Sequence, residues 1–141
     1  MNSSAQRVCD FFDAHNLQKS YEIVDDNQLL TKFPGENFDA IPILLTFDDT
    51  GDQVSLFSSG FYKAEQDQGV LNRALMLCNS ANQNMQGALK GFKVYLDKEL
   101  DYTVEANIFI RPQTAGSECT KYALAMGQFI DSFYDMIMKY S

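Results

Sequence analysis

Between Val70 and Ile110 the spacing of apolar side chains changes from a helical to an extended period within a few residues. Val70, Leu71, Ala74, Leu75, Cys78 and Ala81 recur at three- and four-residue intervals, which predicts one stripe of a helix. Glu65 and Asp67 stand just ahead of it, where acidic groups suit the positive end of the helix dipole. The run Asn79-Ser80-Ala81-Asn82-Gln83-Asn84 stops the stripe, and Gly87 marks the break. Beyond it Phe92, Val94 and Leu96 define one face of a strand. Tyr102, Val104, Ala106, Ile108 and Ile110 define one face of its partner.

The flanking sequence extends this pattern. Ser3 and Gln6 have capping-box spacing, and Val8, Phe11 and Phe12 follow at helical intervals, predicting a first helix over Ser4 to Asn16. Tyr21 to Val24 and Leu29 to Phe33 flank the turn-forming Asp25-Asp26-Asn27, a short hairpin that Pro34-Gly35 ends. Ile41, Ile43, Leu45 and Phe47 alternate along a strand; Pro42 cannot donate a ladder bond, so that strand begins there or lies at an edge. Asp48 to Asp52 form a turn, and Gln53 to Gly60 return as a strand. Pro112 and Thr114 to Ser117 close the sheet, and a long helix occupies Ser117 to Lys139. The expected fold is α+β, a twisted and largely antiparallel sheet of five to six strands with three helices, in the order α-β-β-β-β-α-β-β-α.

At 141 residues the chain reads as one domain, 1–141, with no repeats and no linker long enough to divide it. Eleven basic against nineteen acidic residues leave a net charge of −8. Such a field repels phosphate backbones, and the basic residues are scattered singly, so no nucleic-acid partner is expected. No apolar run approaches a bilayer span, so no membrane partner is expected either. Cys9, Cys78 and Cys119 lack any metal or redox spacing and fall on apolar stripes, the pattern of buried free thiols in a reducing compartment. The opening MNSSAQRVCDFF lacks the order of a signal peptide. A cytoplasmic location is the expectation.

Residues that could carry chemistry are sparse. His15 is the sole histidine and sits at the end of the first helix, where it complements the negative dipole end. Ser58-Ser59-Gly60 lacks the G-x-S-x-G elbow. Asp48, Asp49 and Asp52 miss the calcium-loop spacing, because Gly51 comes fourth rather than sixth. Gly87-x-x-x-Gly91 lacks the Lys-Ser/Thr ending of a phosphate loop. Glu105 and Asp97 fall on the polar face of their strands. No enzyme, no cofactor and no metal are expected.

Apolar surface in excess is the more informative feature. In the last helix Cys119, Ala123, Met126, Ile130, Phe133 and Ile137 form one stripe, and Tyr122, Phe129, Met136 and Tyr140 widen it beyond what one sheet face requires. Either this helix also packs on the first, or it offers a strip to a partner or a second copy, to which Met126, Met136 and Met138 would adapt. Phe109 lies on the otherwise polar face of its strand and Tyr95 on the equivalent face next door. That is either a cross-strand aromatic pair or a peptide-docking patch. Tyr95, Phe109, Phe129, Met136 and Tyr140 are the expected partner-binding residues.

The segments PILLTFDDTGDQVSLFSSG, LNRALMLCNSANQNMQG and GFKVYLDKELDYTVEANIFI, with the closing helix, resemble the YbjN-like domain family over about residues 38 to 140. In that family a helix ends in an Asn-x-x-Asn-like pattern, here Asn79 and Asn82, before a strand pair; the Gly87–Gly91 spacing is longer than usual. The family is similar in fold to class I type III secretion chaperones, which are small acidic α+β proteins, usually dimers. The resemblance implies a bacterial, non-enzymatic protein-binding or chaperone-like domain, with a homodimer as one form, and brings no catalytic residues. Asn79 and Asn82 are expected to satisfy backbone groups at the helix end. A small-ligand sensor or regulatory domain is the alternative.

Overall fold

A computed structural model describes residues 1–140, and its element order is the expected one. Helix α1 spans Ser3–Ala14, strands β1 to β4 span Tyr21–Asp25, Gln28–Phe33, Ile41–Phe47 and Gln53–Lys63, helix α2 spans Gln68–Gln83, strands β5 and β6 span Lys93–Leu96 and Asp101–Phe109, and helix α3 spans Ala115–Tyr140. The six strands form one sheet in the order β1-β2-β3-β4-β6-β5, antiparallel at every pairing.

Strand alternation sorts side chains onto two faces. Leu29, Ile43, Leu45, Phe47, Val54, Leu56, Val94, Val104 and Ala106 point to one face and are buried. Helix α3 lies on that face with its expected stripe, from Cys119 to Ile137, buried against it. Helix α1 packs beside α3, and there the backbones come close. A Cβ on Gly116 would overlap Phe11, lying 2.8 Å from its Cγ. The side chains that widen the apolar arc of α3 lie elsewhere: Tyr122 faces Phe92, Phe129 stacks on Phe133, and Met136 and Tyr140 are exposed.

Several local expectations are corrected. The cap of α1 is Asn2, not Ser3: its carboxamide oxygen accepts from the amides of Ser4 (2.9 Å) and Ala5 (3.2 Å), while Gln6 turns to Asp10. Ser4 then donates to the Gly51 carbonyl at 2.7 Å, tying the helix start to the β3–β4 turn. Strand β4 does not end at Gly60. Gly60 takes a positive φ of 80°, two extra residues are absorbed between the pairs Ser59–Thr103 and Lys63–Asp101, and the strand continues. Strand β3 is internal, and Pro42 is tolerated because it stands at the strand's second position, before pairing with β4 begins at Leu44. Leu75 is not on a buried stripe but exposed, because only Ala74 and Cys78 of α2 are buried.

Asn82 serves a different backbone from the one expected. Its side chain donates to the Val94 carbonyl (2.9 Å) and accepts from the Val94 amide (2.8 Å), closing the edge of β5. The helix end is served instead by Asn84, which donates to Ser80.

Candidate binding surfaces

The five side chains expected to bind a partner do not form one patch. Phe109 pairs with Gln53 and Tyr95 with Thr103, six residues apart along β6, so the cross-strand aromatic pair does not form. Tyr95 is half-buried and donates to Glu105 at 3.0 Å. Phe109 is 79% exposed at the end of β6. Phe129 is half-buried and stacks on Phe133 at 5.4 Å. Met136 and Tyr140 are exposed near the end of α3.

A second apolar set lies on the outer face of the sheet. The row Glu22–Leu30–Leu44–Phe57–Glu105–Lys93 crosses all six strands in register. Its centre is apolar: Leu30 and Leu44 are half-buried and Phe57 is 41% exposed, with Pro42, Thr46 and Ser55 beside them. Its ends carry charge, and Lys32 pairs with Glu22 at 3.2 Å. Sequence reading missed this row because a register across six separate strands cannot be read from one strand's alternation.

Between α2, α3 and the β4–β6 end lies a cavity of about 110 Å³, bounded by Tyr62, Ala64, Glu65, Val70, Arg73, Ala74, Leu77, Tyr102 and Ile137. An aromatic chain supports it. Tyr102 packs edge-on to Phe133 at 5.7 Å and lies beside Tyr62 at 6.3 Å, and Tyr62 meets Tyr134, which meets Phe38. Burial, then the nearby Cys78 thiol and Tyr62 hydroxyl, push the Tyr102 hydroxyl up to about 12, so it stays a donor at neutral pH. Beside the cavity an open groove of about 310 Å³ runs along Arg73, Met76, Leu77, Ser80 and Tyr140.

Asp131 on α3 fastens the β2–β3 loop. Its carboxylate accepts from the amides of Glu36 and Asn37, both at 2.9 Å, and from the Asn37 side chain at 3.1 Å. These hydrogen bonds, the Asn37 amide first, hold it below the usual carboxylate range. Nothing in the sequence flanking Asp131 signals this, since its partners lie 94 and 95 positions away.

The thiols, His15 and Asp48 are committed to structure. Cys9, Cys78 and Cys119 are free and buried, and burial raises Cys78 to about 11 and Cys119 to about 12. His15 caps α1, its Nδ1 2.8 Å from the Phe11 carbonyl and its ring stacked on Phe11. The Asp48 carboxylate is held within its own turn by Gln53 and Thr50. Among the described residues no three His, Cys, Asp or Glu side chains group as metal ligands would. No helix among them is long and apolar enough to cross a membrane. Comparison with protein-family models, with curated proteins and with solved structures finds no match for the chain.

Proposed function

We propose that this protein is a non-enzymatic, chaperone-like module that binds a polypeptide segment on the outer face of its sheet. The observation that supports this most is the row Leu30–Leu44–Phe57, apolar and in register on a face that no helix covers. Tyr95 and Phe109 belong to the same face and extend it toward the β5 and turn ends. Charges at both ends of the row, Glu22 and Glu105 with Lys32 and Lys93, supply the polar rim that specific recognition uses. The resemblance to the YbjN-like family and to secretion chaperones is consistent with this role, with a cytoplasmic setting and with a homodimer.

A photoreactive residue placed at Leu44 tests the reading. It should give adducts with polypeptide in the native host that Phe57→Glu removes, while the same probe at the exposed Ser132 gives none. Equal labelling from both sites would refute it. Light scattering during size exclusion then separates a partner from a second copy.

The small-ligand reading keeps one supporting observation, the cavity at Tyr102. A thermal-shift screen against metabolites tests it, since a saturating ligand raises the melting temperature by mass action.

A further inference from the structure

The outer face of the sheet carries its charges in an order that its own reverse complements. Along the row Glu22–Leu30–Leu44–Phe57–Glu105–Lys93 an acid stands at the β1 end, a base at the β5 end, and the apolar pair Leu44 and Phe57 in the middle. Lys32 flanks the acidic end, and Glu105 precedes the basic one. Lys93 is exposed and belongs to none of the three ion pairs among the described residues. Glu22, Asp25 and Glu105 stand against Lys32 and Lys93 on this face, with the Lys63–Asp101 ion pair beyond them, so the face is close to neutral on a chain of net charge −8. A second copy can approach such a face against little charge repulsion.

Two sheets with aligned strands can meet face to face about a two-fold axis in two ways. An axis along the row lays each strand over itself, so Glu22 meets Glu22 and Lys93 meets Lys93. An axis parallel to the strands, between β3 and β4, exchanges β1 with β5, β2 with β6 and β3 with β4. Glu22 then lies over Lys93 of the second copy and Leu44 over Phe57, each twice by symmetry. Leu30 falls over Glu105 of the second copy, and Lys32, the next outward residue of β2, reaches that carboxylate. Packed sheets sit about 30° apart, which offsets the ends of the row by about 6 Å, a distance that a glutamate and a lysine side chain span together. The row is about 24 Å wide at the usual strand spacing and the face about 20 Å long, so pairing covers about 1,000 Å² in total, the lower bound for a specific interface.

We propose that the outer sheet face pairs with a second copy of this chain, as a reversible dimer about a two-fold axis parallel to the strands, with Glu22 of each copy against Lys93 of the other. This rests on the reading that the outer face is a binding surface, and it names the occupant. The complementary surface is the same row with its charges exchanged end for end, which the chain itself presents.

Sedimentation equilibrium of the full chain from about 1 μM to about 1 mM tests the proposal, and the mass should rise from one chain to two. Glu22→Lys and Lys93→Glu each set like charges together twice and should weaken association about tenfold or more, while the double variant restores opposite charges and should recover most of it. Both positions are exposed, so the swaps leave the core intact. Glu22→Lys also takes negative charge off an acidic chain, which by itself favours association, so weakening there reads the pairing and not the net charge. A chain that stays monomeric throughout, a dimer indifferent to the single swaps, or a double variant no tighter than the singles overturns the proposal. Should the chain stay monomeric while the probe at Leu44 still forms adducts in the native host, the second copy is excluded and the outer-face reading stands; a monomer without adducts removes both.

Discussion

Asn82 completes Val94: the carboxamide of a helix residue makes the two hydrogen bonds, 2.9 and 2.8 Å, that a neighbouring strand would make. The edge of β5 is closed by a side chain rather than by a seventh strand. An open edge is a template for pairing with another chain, and covering it is one way such pairing is prevented.

Asn82→Ala should therefore destabilise the fold by about 1–2 kcal/mol, two hydrogen bonds at partly buried positions. The Val94 amide should exchange with solvent faster than its neighbours in β6. Urea denaturation and native-state hydrogen exchange measure both, and an unchanged midpoint would show that the pair is ornamental.

Asp131 gives a pH-dependent clamp. Its folded carboxylate titrates below the ordinary value of 3.8, so its contribution is fully present above that value and is lost as pH falls through the lowered one. Asp131→Asn should flatten the stability profile on the acid side of about pH 4, and Asp131→Ala should cost about 1 kcal/mol near neutrality, a modest figure because the site is partly solvated. Parallel denaturation of wild type and Asp131→Asn from pH 7 downward checks this; coincident profiles would contradict it.

Gly116 permits the approach of α1 to α3. Gly116→Ala should destabilise by about 1–3 kcal/mol through overpacking against Phe11, despite the better helix propensity of alanine. Phe11→Leu keeps the Cβ and Cγ that the new methyl would meet, so it should recover little of the loss. Thermal melts of the two single variants and the double variant give the coupling.

On the open sheet face, stability and recognition should separate. Phe109→Ser should change stability by less than about 0.5 kcal/mol, because most of the ring is already in water. Phe57→Ser should cost about 1 kcal/mol for the covered part of its ring and should also remove the adducts formed from Leu44. Retention of those adducts in Phe57→Ser would detach Phe57 from the surface that binds.

The three thiols should be inert in the folded state. Burial raises Cys78 to about 11 and Cys119 to about 12, and Cys9 is raised as well, so almost no thiolate exists at pH 7 to 8. A thiol-reactive chromophore should report no fast reaction until denaturant is added.

Amphipathic period and turn chemistry, both local properties, determined the class and order of elements. The alternation of Ile41 to Phe47, the Asp-rich turns and the Cys119-to-Ile137 stripe each encode their element within one contiguous stretch of chain, and the nine elements follow from such signals. Only the tertiary structure decided which faces meet. The register that lines up Leu30, Leu44 and Phe57, the separation of Tyr95 from Phe109, the close passage of Gly116 by Phe11 and the clamp of Asp131 on Glu36 and Asn37 all depend on how residues distant in sequence are placed. A pattern of periods carries no information on such pairings, because they depend on how packed elements are offset and rotated against one another.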